Sequence, residues 1–327
     1  MIIRFLCRRL VVALLVLVAI VFLGYAYAHT VQWDYADRYP RLYAQLQAAE
    51  RPESLAEALT AYLSDLRQGS LGTLRNGQAV AAILRDATGA SLGLLAIAFS
   101  LSFPIGLGLG MLATSARRLR PARWLSVFST VGLAMPSFYV GSLLILASVA
   151  YVMWISRNQR PLFPMAGFGW DKHVILPTLA LAVRPTVQLA HVTATLLSGE
   201  LHKPYVVAAR SLGYSWRTIK QSTAFRNVIV PIILTTARSL RTLIADLVLV
   251  EWLFFWPGVG YFLASALIPA RRTNMFSSPY FLHPELVAAL LGEIALLFLV
   301  VDLLASTAAR ILDPRLRITV TGESVDV

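Results

Sequence analysis

The residues of this chain that could do chemistry are few and widely spaced. Its five histidines form no HExxH or comparable metal motif, and Cys7 is its single cysteine. The chain contains no GxxxxGK[ST] phosphate loop, so it cannot hydrolyse ATP by that route. The glycine run from Gly106 to Gly110 follows no predicted strand, and its third glycine is misplaced for a dinucleotide fingerprint. Since no Ser/His/Asp triad or carboxylate pair is suggested either, we expect a protein that is not an enzyme and that itself holds no cofactor and no metal.

The composition points to a membrane protein. Hydrophobic residues make up 57% of the chain and charged residues only 14%, whereas a soluble domain has about a quarter charged residues. Six charge-poor segments are each long enough to cross a hydrocarbon core of about 30 Å, which takes about 20 residues. They are residues 10–28, 87–116, 124–156, 173–198, 228–255 and 286–309. The first also resembles a signal peptide ending at Ala26-Tyr27-Ala28, but it is longer than a usual h-region, so we expect a retained helix.

The positive charge of the chain is concentrated in alternate loops. The N-terminus and the loops at 117–123 and 200–227 are rich in arginine and lysine and contain one acid, Glu200, whereas the other loops are mixed or nearly neutral. Cytoplasmic loops carry such a bias, which predicts that both termini lie in the cytoplasm. It also accounts for much of the net charge of +12, so we expect no nucleic-acid partner.

We expect an all-α polytopic membrane protein in four parts. Residues 1–28 hold the cytoplasmic N-terminus and the first span, and residues 29–86, which are polar and of mixed charge, form an extracytoplasmic segment with two or three helices. Residues 87–317 form the core with spans two to six, and residues 318–327 form a cytoplasmic tail. Within the core, Gly106 and Gly110 present a small-xxx-small face for close packing of two helices.

The loop before the fifth span, YVVAARSLGYSWRTIK (205–220), has the sequence of a helical hairpin. Pro204 suits the first position of a helix, and Gly213 can take the left-handed conformation that ends one. Ser215 can cap a second helix from Trp216 to about Arg226. The two helices would lie across the cytoplasmic face of the membrane, and the paired alanines of the first would let a partner approach closely.

This loop, taken as residues 200–231, resembles the EAA loop of binding-protein-dependent ABC transporter permeases, and within them the B-type subunit of the dipeptide/oligopeptide subfamily. The matching positions are Ala208, Ala209, Gly213, Ile219 and Pro231. Three positions depart from the family pattern, namely Val207 at the glutamate that names the loop, Thr223 at a histidine and Phe225 at a leucine. Further stretches match in order along residues 1–317: QGSLGTL, GLAMPSFYVGSLLILA, LPTLALAV, EWLFFWPGVG and VDLLASTAARILDPRLR.

The resemblance implies a coupling helix that docks in a cleft of a cytosolic ATPase, in a permease like those of type I ABC importers. It assigns ATPase coupling to Tyr205, Ala208, Ala209, Arg210, Gly213, Ile219, Asn227 and Pro231. The implied partners are a second homologous permease of C type, two ATP-binding subunits that hold ATP and Mg2+, a periplasmic solute-binding protein and the lipid of a bacterial inner membrane. The implied cargo is a di- or oligopeptide, with nickel chelates, glutathione or another small solute as the alternative. A stand-alone secondary transporter or channel is a different class, against which the coupling loop and the lack of an obvious inverted repeat argue.

Several charged or helix-breaking residues lie in or at the ends of the predicted spans. A charge at membrane depth costs at least about 2.5–3.5 kcal/mol, so each should face a cavity or a partner. The candidates for the translocation path or its extracytoplasmic gate are Pro136, Arg184, His191, Arg238, Arg241, Asp246, Glu251, Trp256, Pro257, Gly258 and Glu293. Two alternatives stay open: Asp246 or Glu293 could neutralise an arginine, and Arg238 and Arg241 could snorkel to the cytoplasmic face. We expect the last helix to stop at Asp313-Pro314-Arg315.

Overall fold

The computed structural model describes residues 2–38, 54–114, 120–156, 160–268 and 280–312, and these residues form helices without a strand. The helices are α1 (Ile2–Arg38), α2 (Leu55–Arg67), α3 (Val80–Ala113), α4 (Arg123–Ala134), α5 (Ser137–Trp154), α6 (Ile175–Glu200), α7 (Pro204–Ser211), α8 (Trp216–Phe254), α9 (Val259–Leu267) and α10 (Pro284–Leu312). The expected stop at residues 313–315 and residues 117–119 of the arginine-rich loop lie outside the described residues.

Among the described residues, six helices are long and apolar enough to cross a membrane, which confirms the predicted number of spans: α1, α3, α5, α6, α8 and α10. Their ends differ from the apolar segments, since α1 continues to Arg38 and α3 begins at Val80. Helical hydrogen bonding continues outside lipid, so apolar length predicts where a helix crosses and not where it ends. The expected boundary at residue 28 therefore falls inside α1. Between α1 and α3, the described residues contain one further helix, α2.

The predicted third span, 124–156, is two helices and not one. Met135 takes an extended conformation with φ −87° and ψ 119°, which separates α4 from α5. The ring of Pro136 disfavours a helical conformation at the preceding residue, and Pro136 itself has no N–H to donate. Pro136 then stands as the N-cap of α5, whose 18 residues suffice to cross the membrane alone.

The chain divides into two compact units. The first contains residues 1–94, 156–177 and 247–299, and the second contains residues 95–155, 178–246 and 300–327. The core of the first unit joins α3, α9 and α10 through fully buried residues such as Val80, Val259 and Leu286. In the same unit, α2 packs against α1 and α10, because Tyr62 stacks on Tyr25 with ring centroids 4.5 Å apart.

In the second unit, α3 packs closely on α6 at two glycines. A methyl group at Gly106 would lie 2.9 Å from the carbonyl oxygen of Thr186, and one at Gly110 would lie 2.7 Å from that of Ala190. These distances leave no room for a side chain between the two backbones. The close-packing role predicted for the two glycines is therefore confirmed, and it leaves no place for a nucleotide there.

Candidate coupling site and the charged residues of the spans

The turn between α7 and α8 is a Schellman motif. Gly213 has φ +87°, and its N–H donates to the carbonyl oxygen of Arg210 at 3.0 Å. The N–H of Tyr214 donates to the carbonyl oxygen of Ala209 at 3.1 Å, which completes the pair of bonds that defines the motif. Ser215 then caps α8, since its Oγ accepts from the N–H of Thr218 at 3.1 Å. The local structure predicted from Pro204, Gly213 and Ser215 is confirmed.

The helix after this turn is continuous with the fifth span, contrary to the expected separate helix ending near Arg226. α8 passes through a π-helical segment, Ile219–Ala224, and continues to Phe254. Neither glycine nor proline stands between Trp216 and Val230, so nothing in the sequence ends the helix before Pro231. A force on the turn after α7 therefore acts directly on a membrane-spanning helix.

A buried carboxylate ties the loop to the spans. Glu200, the last residue of α6, is 6% exposed and receives three donors. Its Oε2 lies 2.6 Å from Lys203 Nζ, and its Oε1 accepts from Tyr205 Oη at 3.1 Å and from Asn227 Nδ2 at 2.8 Å. Burial raises the pKa of the Tyr205 phenol, and its bond to Glu200 acts in the same direction. Glu200 therefore fixes α6, α7 and α8 to one another.

The coupling residues predicted from the family pattern fall into two groups. Tyr205 and Asn227 bind Glu200, while Ile219 is 1% exposed in a core with Leu197 and Val228, so these three hold the loop in place. Ala209 and Pro231 are half-buried. The other members, Ala208, Arg210 and Gly213, are exposed, as is Asn227.

Large apolar side chains flank the exposed group. Val207, Leu212 and Tyr214 are 70%, 77% and 53% exposed. Arg210 is held beside them, because its Nη1 donates to the carbonyl oxygen of Tyr214 at 2.7 Å and its guanidinium lies 5.0 Å from the ring centroid of Trp216. The turn thus presents a small surface of three apolar side chains and a fixed cation, which we call the α7 tip.

Two polar residues that position this loop were missed from the sequence. Glu200 stood out only as the lone acid of the basic loops. Lys220 gave no signal beyond its charge, yet its Nζ donates to the carbonyl oxygens of Met111 at 2.9 Å and Thr114 at 3.3 Å. It therefore caps the C-terminal end of α3, where unpaired carbonyls favour a cation.

The predicted gate residues form a buried turn in the first unit. Glu251 is fully buried, and its Oε2 accepts from the N–H of Gly260 at 2.7 Å and that of Tyr261 at 3.3 Å, at the start of α9. Its Oε1 accepts from Ser91 Oγ at 2.6 Å, and Ser91 Oγ accepts from the N–H of Val259 at 2.8 Å. The carboxylate thus receives three donors, and the N-terminus of a helix favours a negative charge.

The rest of this turn is fixed by Trp256 and Gly258. Trp256 is fully buried, donates from Nε1 to the carbonyl oxygen of Ala90 at 3.0 Å, and meets Phe168 edge to face with centroids 4.8 Å apart. A methyl group at Gly258 would collide with the carboxylate of Glu251. Pro257, between them, is half-buried. The structure thus brings Glu251, Trp256, Pro257 and Gly258 together as one anchored turn.

The remaining candidates lie in pairs or alone. Arg184 Nη1 is 3.7 Å from Asp246 Oδ2, which accepts from Ser137 Oγ at 2.6 Å beside Pro136. Arg241 Nη1 is 3.0 Å from Asp302 Oδ1, an acid of α10 that the candidate set did not include.

Glu293 binds Thr88 and contacts no arginine among the described residues. Arg238 is exposed and His191 is half-buried. Of the two acids that could neutralise an arginine, Asp246 therefore does so and Glu293 does not, among the described residues.

The described residues thus form six candidate spans with an exposed helical loop between the fourth and the fifth, which define a polytopic membrane protein. Residues 106–318 match the family model described as binding-protein-dependent transport system inner membrane component, and the chain belongs to this family. It is a permease component of an ABC transporter and a multi-pass protein of the bacterial inner membrane, and such components work with ATPase and binding-protein components.

Curated relatives support the same assignment. The chain is 26% identical over 287 residues to the peptide transport system permease protein SapB of Salmonella typhimurium, an alignment that covers 80% of this chain and 85% of the relative. It is 24% identical over 287 residues to the putrescine export system permease protein SapB of Escherichia coli K12, with the same two coverages.

Proposed function

We propose that the chain is the B-type permease subunit of an ABC importer that carries peptides delivered by a periplasmic binding protein. The name of the Salmonella relative and the match to the dipeptide/oligopeptide loop pattern support a peptide cargo. The name of the Escherichia coli relative specifies export of putrescine, which makes a small non-peptide solute the second candidate.

The α7 tip docks on a cytosolic ATPase in this proposal. The observation that carries it is the exposure of Val207, Leu212 and Tyr214 on a turn that is otherwise rigidly bonded. Apolar side chains with this exposure in an aqueous loop are typical of a protein interface. Because α8 begins directly after the turn and continues unbroken through the fifth span, movement of the ATPase would be passed to a spanning helix without a flexible joint.

The rest of the assembly follows from this role. Two ATP-binding subunits hold ATP and Mg2+, so this chain needs no cofactor of its own and performs no hydrolysis. A homologous permease of C type completes the membrane part, and both termini of this chain lie in the cytoplasm with α2 and the turn at Glu251 on the other side. A stand-alone secondary transporter would give the α7 tip no partner.

The test compares two glycines of the same geometry. Gly213 and Gly69 both have positive φ, +87° and +77°, end short helices and have open space where a side chain would go. Valine at either position strains the backbone by about 1–2 kcal/mol. In proteoliposomes of the whole transporter, we expect Gly213→Val to lower transport per ATP hydrolysed, and Gly69→Val to leave that ratio unchanged.

A second pair removes apolar surface without backbone strain. Leu212→Ser takes away a side chain that is 77% exposed, and Leu55→Ser does the same at the start of α2, where the side chain is 36% exposed. Only Leu212→Ser should weaken co-purification of the ATPase subunits. Equal recovery of the ATPase with both variants would refute docking at the α7 tip.

A further inference from the structure

The helix α6 carries a polar stripe along one face. Arg184, Gln188, His191 and Thr195 follow one another at intervals of four, three and four residues, which places them on one side of a helix. Each is half-buried or exposed. The opposite side of α6 is buried and apolar, with residues such as Leu189, Ala190 and Leu197.

The helix α8 carries a second polar stripe. Thr235, Arg238 and Thr242 recur at intervals of three and four residues and are all at least partly exposed, and the exposed Ala245 continues the same face. Buried residues occupy the other side, among them Ile232, Ser239, Leu243 and Leu247. Arg238 lies near the middle of the segment Phe225–Phe254, and thus near the middle of the span.

Two contacts fix how the stripes run relative to each other. The bond between Glu200 and Asn227 joins α6 and α8 at one end, and the contact between Arg184 and Asp246 joins them farther along. The helices are therefore antiparallel. Since His191 lies between Arg184 and Glu200 as Arg238 lies between Asp246 and Asn227, His191 and Arg238 are at about the same height along the two helices. Since Arg184 belongs to the first stripe and Asp246 borders the second, the same contact links the two stripes.

These stripes differ in kind from a lipid-facing surface. The exposed side of α1 is apolar, with Leu14 and Leu15 61% and 65% exposed, as expected of a helix in contact with lipid. An arginine in the middle of a lipid-facing helix is strongly unfavourable. Arg238 therefore requires water or a counter-charge on the exposed side of α8.

The charges along the stripes do not cancel. Asp246 lies beside Arg184 and Asp302 beside Arg241, whereas Arg238 has no acidic partner among the described residues. The guanidinium of Arg238 is therefore a positive charge near the middle of the span that no described acid neutralises. A guanidinium is suited to a carboxylate, which it can bind through two parallel hydrogen bonds.

We propose that the stripes of α6 and α8 line the water-filled translocation path, and that Arg238 binds a carboxylate of the cargo as it passes. This proposal rests on the peptide-transport function proposed above and narrows its substrate class to solutes with a free carboxylate, such as the C-terminus of a peptide. A diamine such as putrescine is repelled by the same charge.

Transport by the whole complex in proteoliposomes tests the preference. We measure ATP-dependent uptake of trialanine and of its C-terminal amide by the wild type and by Arg238→Gln, Arg238→Lys and the exposed control Arg67→Gln. The binding protein is the same throughout, so a changed ratio between the two peptides reports the permease. We expect the preference for the free carboxylate to fall about tenfold in Arg238→Gln, by less in Arg238→Lys and not at all in Arg67→Gln.

The outcomes separate this proposal from the function on which it rests. An unchanged ratio in Arg238→Gln would overturn the carboxylate contact while leaving peptide transport intact. If the wild type takes up neither peptide with ATP, the proposed function itself fails. Loss of the second permease from purified Arg238→Gln, with recovery in Arg238→Lys, would mean that Arg238 pairs with an acid of that subunit, which also overturns the proposal.

A labelling measurement needs no transport. Cys7 is the single cysteine, so Thr242→Cys in a Cys7→Ser background places one thiol on the α8 stripe, and Leu15→Cys places one on the lipid-facing side of α1. In membranes that contain the complex, we compare the rates at which two reagents modify the thiol: the anionic sulfonatoethyl methanethiosulfonate and the cationic trimethylammonioethyl methanethiosulfonate. At residue 242 the anionic reagent should react faster than the cationic one, and Arg238→Gln should lower this rate ratio about fivefold. The thiol at residue 15 should not react with either reagent. No reaction at residue 242 with either reagent would refute a water-filled path there.

Discussion

Removal of the Glu200 carboxylate should free α7 from the spans. Glu200→Ala deletes the acceptor of two half-buried bonds, from Tyr205 and Asn227, and the ion pair with Lys203. A hydrogen bond to a charged group contributes about 1.5–3 kcal/mol, and the lower end applies to donors that water can reach after the change. The two bonds therefore sum to about 3 kcal/mol. The Lys203 pair adds about 0.5 kcal/mol, because the lysine side chain is 56% exposed.

Hydrogen exchange of the α7 amides measures this loss directly. At about 1.4 kcal/mol per factor of ten, the total of about 3.5 kcal/mol means that Glu200→Ala should speed exchange across residues 204–211 about three-hundredfold. Glu200→Gln keeps a neutral acceptor and should speed it about tenfold. Lys203→Ala breaks only the exposed ion pair and should change it about twofold. The same order should hold for the loss of transport per ATP hydrolysed.

Comparison of the three variants shows which contacts of Glu200 hold α7 in place. If Lys203→Ala loosens α7 as much as Glu200→Ala, the exposed ion pair and not the two hydrogen bonds from Tyr205 and Asn227 holds the loop. If exchange in α7 is unchanged in Glu200→Ala while the assembly stays intact, the carboxylate does not join the loop to the spans at all.

Two further predictions concern the packing of the spans. Glu251→Gln places an amide NH2 against groups that donate to the carboxylate. It should lower the stability of the purified complex by roughly 2 kcal/mol and speed hydrogen exchange at residues 255–260. Exchange as slow as in the wild type would show that the charge is not needed there. Gly110→Ala should lower the stability of the purified complex by about 2 kcal/mol, because the added methyl group overpacks against α6. Gly108→Ala is the control on the same helix: no atom lies within 4 Å of the added methyl group, so this variant should be neutral or stabilising. Equal melting temperatures for the two variants would contradict the close packing of α3 on α6.

Much of the fold followed from local sequence. Six apolar segments predicted six crossings, because a bilayer imposes a length on any helix that spans it. The turn after α7 was predictable from Gly213 and Ser215, since a left-handed residue and a cap act over only three or four positions. The helix ends and the break at Pro136 were less accessible, as both depend on backbone geometry outside the apolar pattern.

The partners of the polar residues were decided by tertiary structure alone. Ser91 meets Glu251 from 160 positions away, and Lys220 reaches the end of α3 from 109 positions away at Met111. Such pairs depend on which helix faces meet and in what register, and a single sequence carries no record of either. Composition determined that this is a membrane protein with a basic loop between two spans. Helix packing determined that Glu200 fixes this loop, and it left Arg238 with a charge that no described neighbour balances.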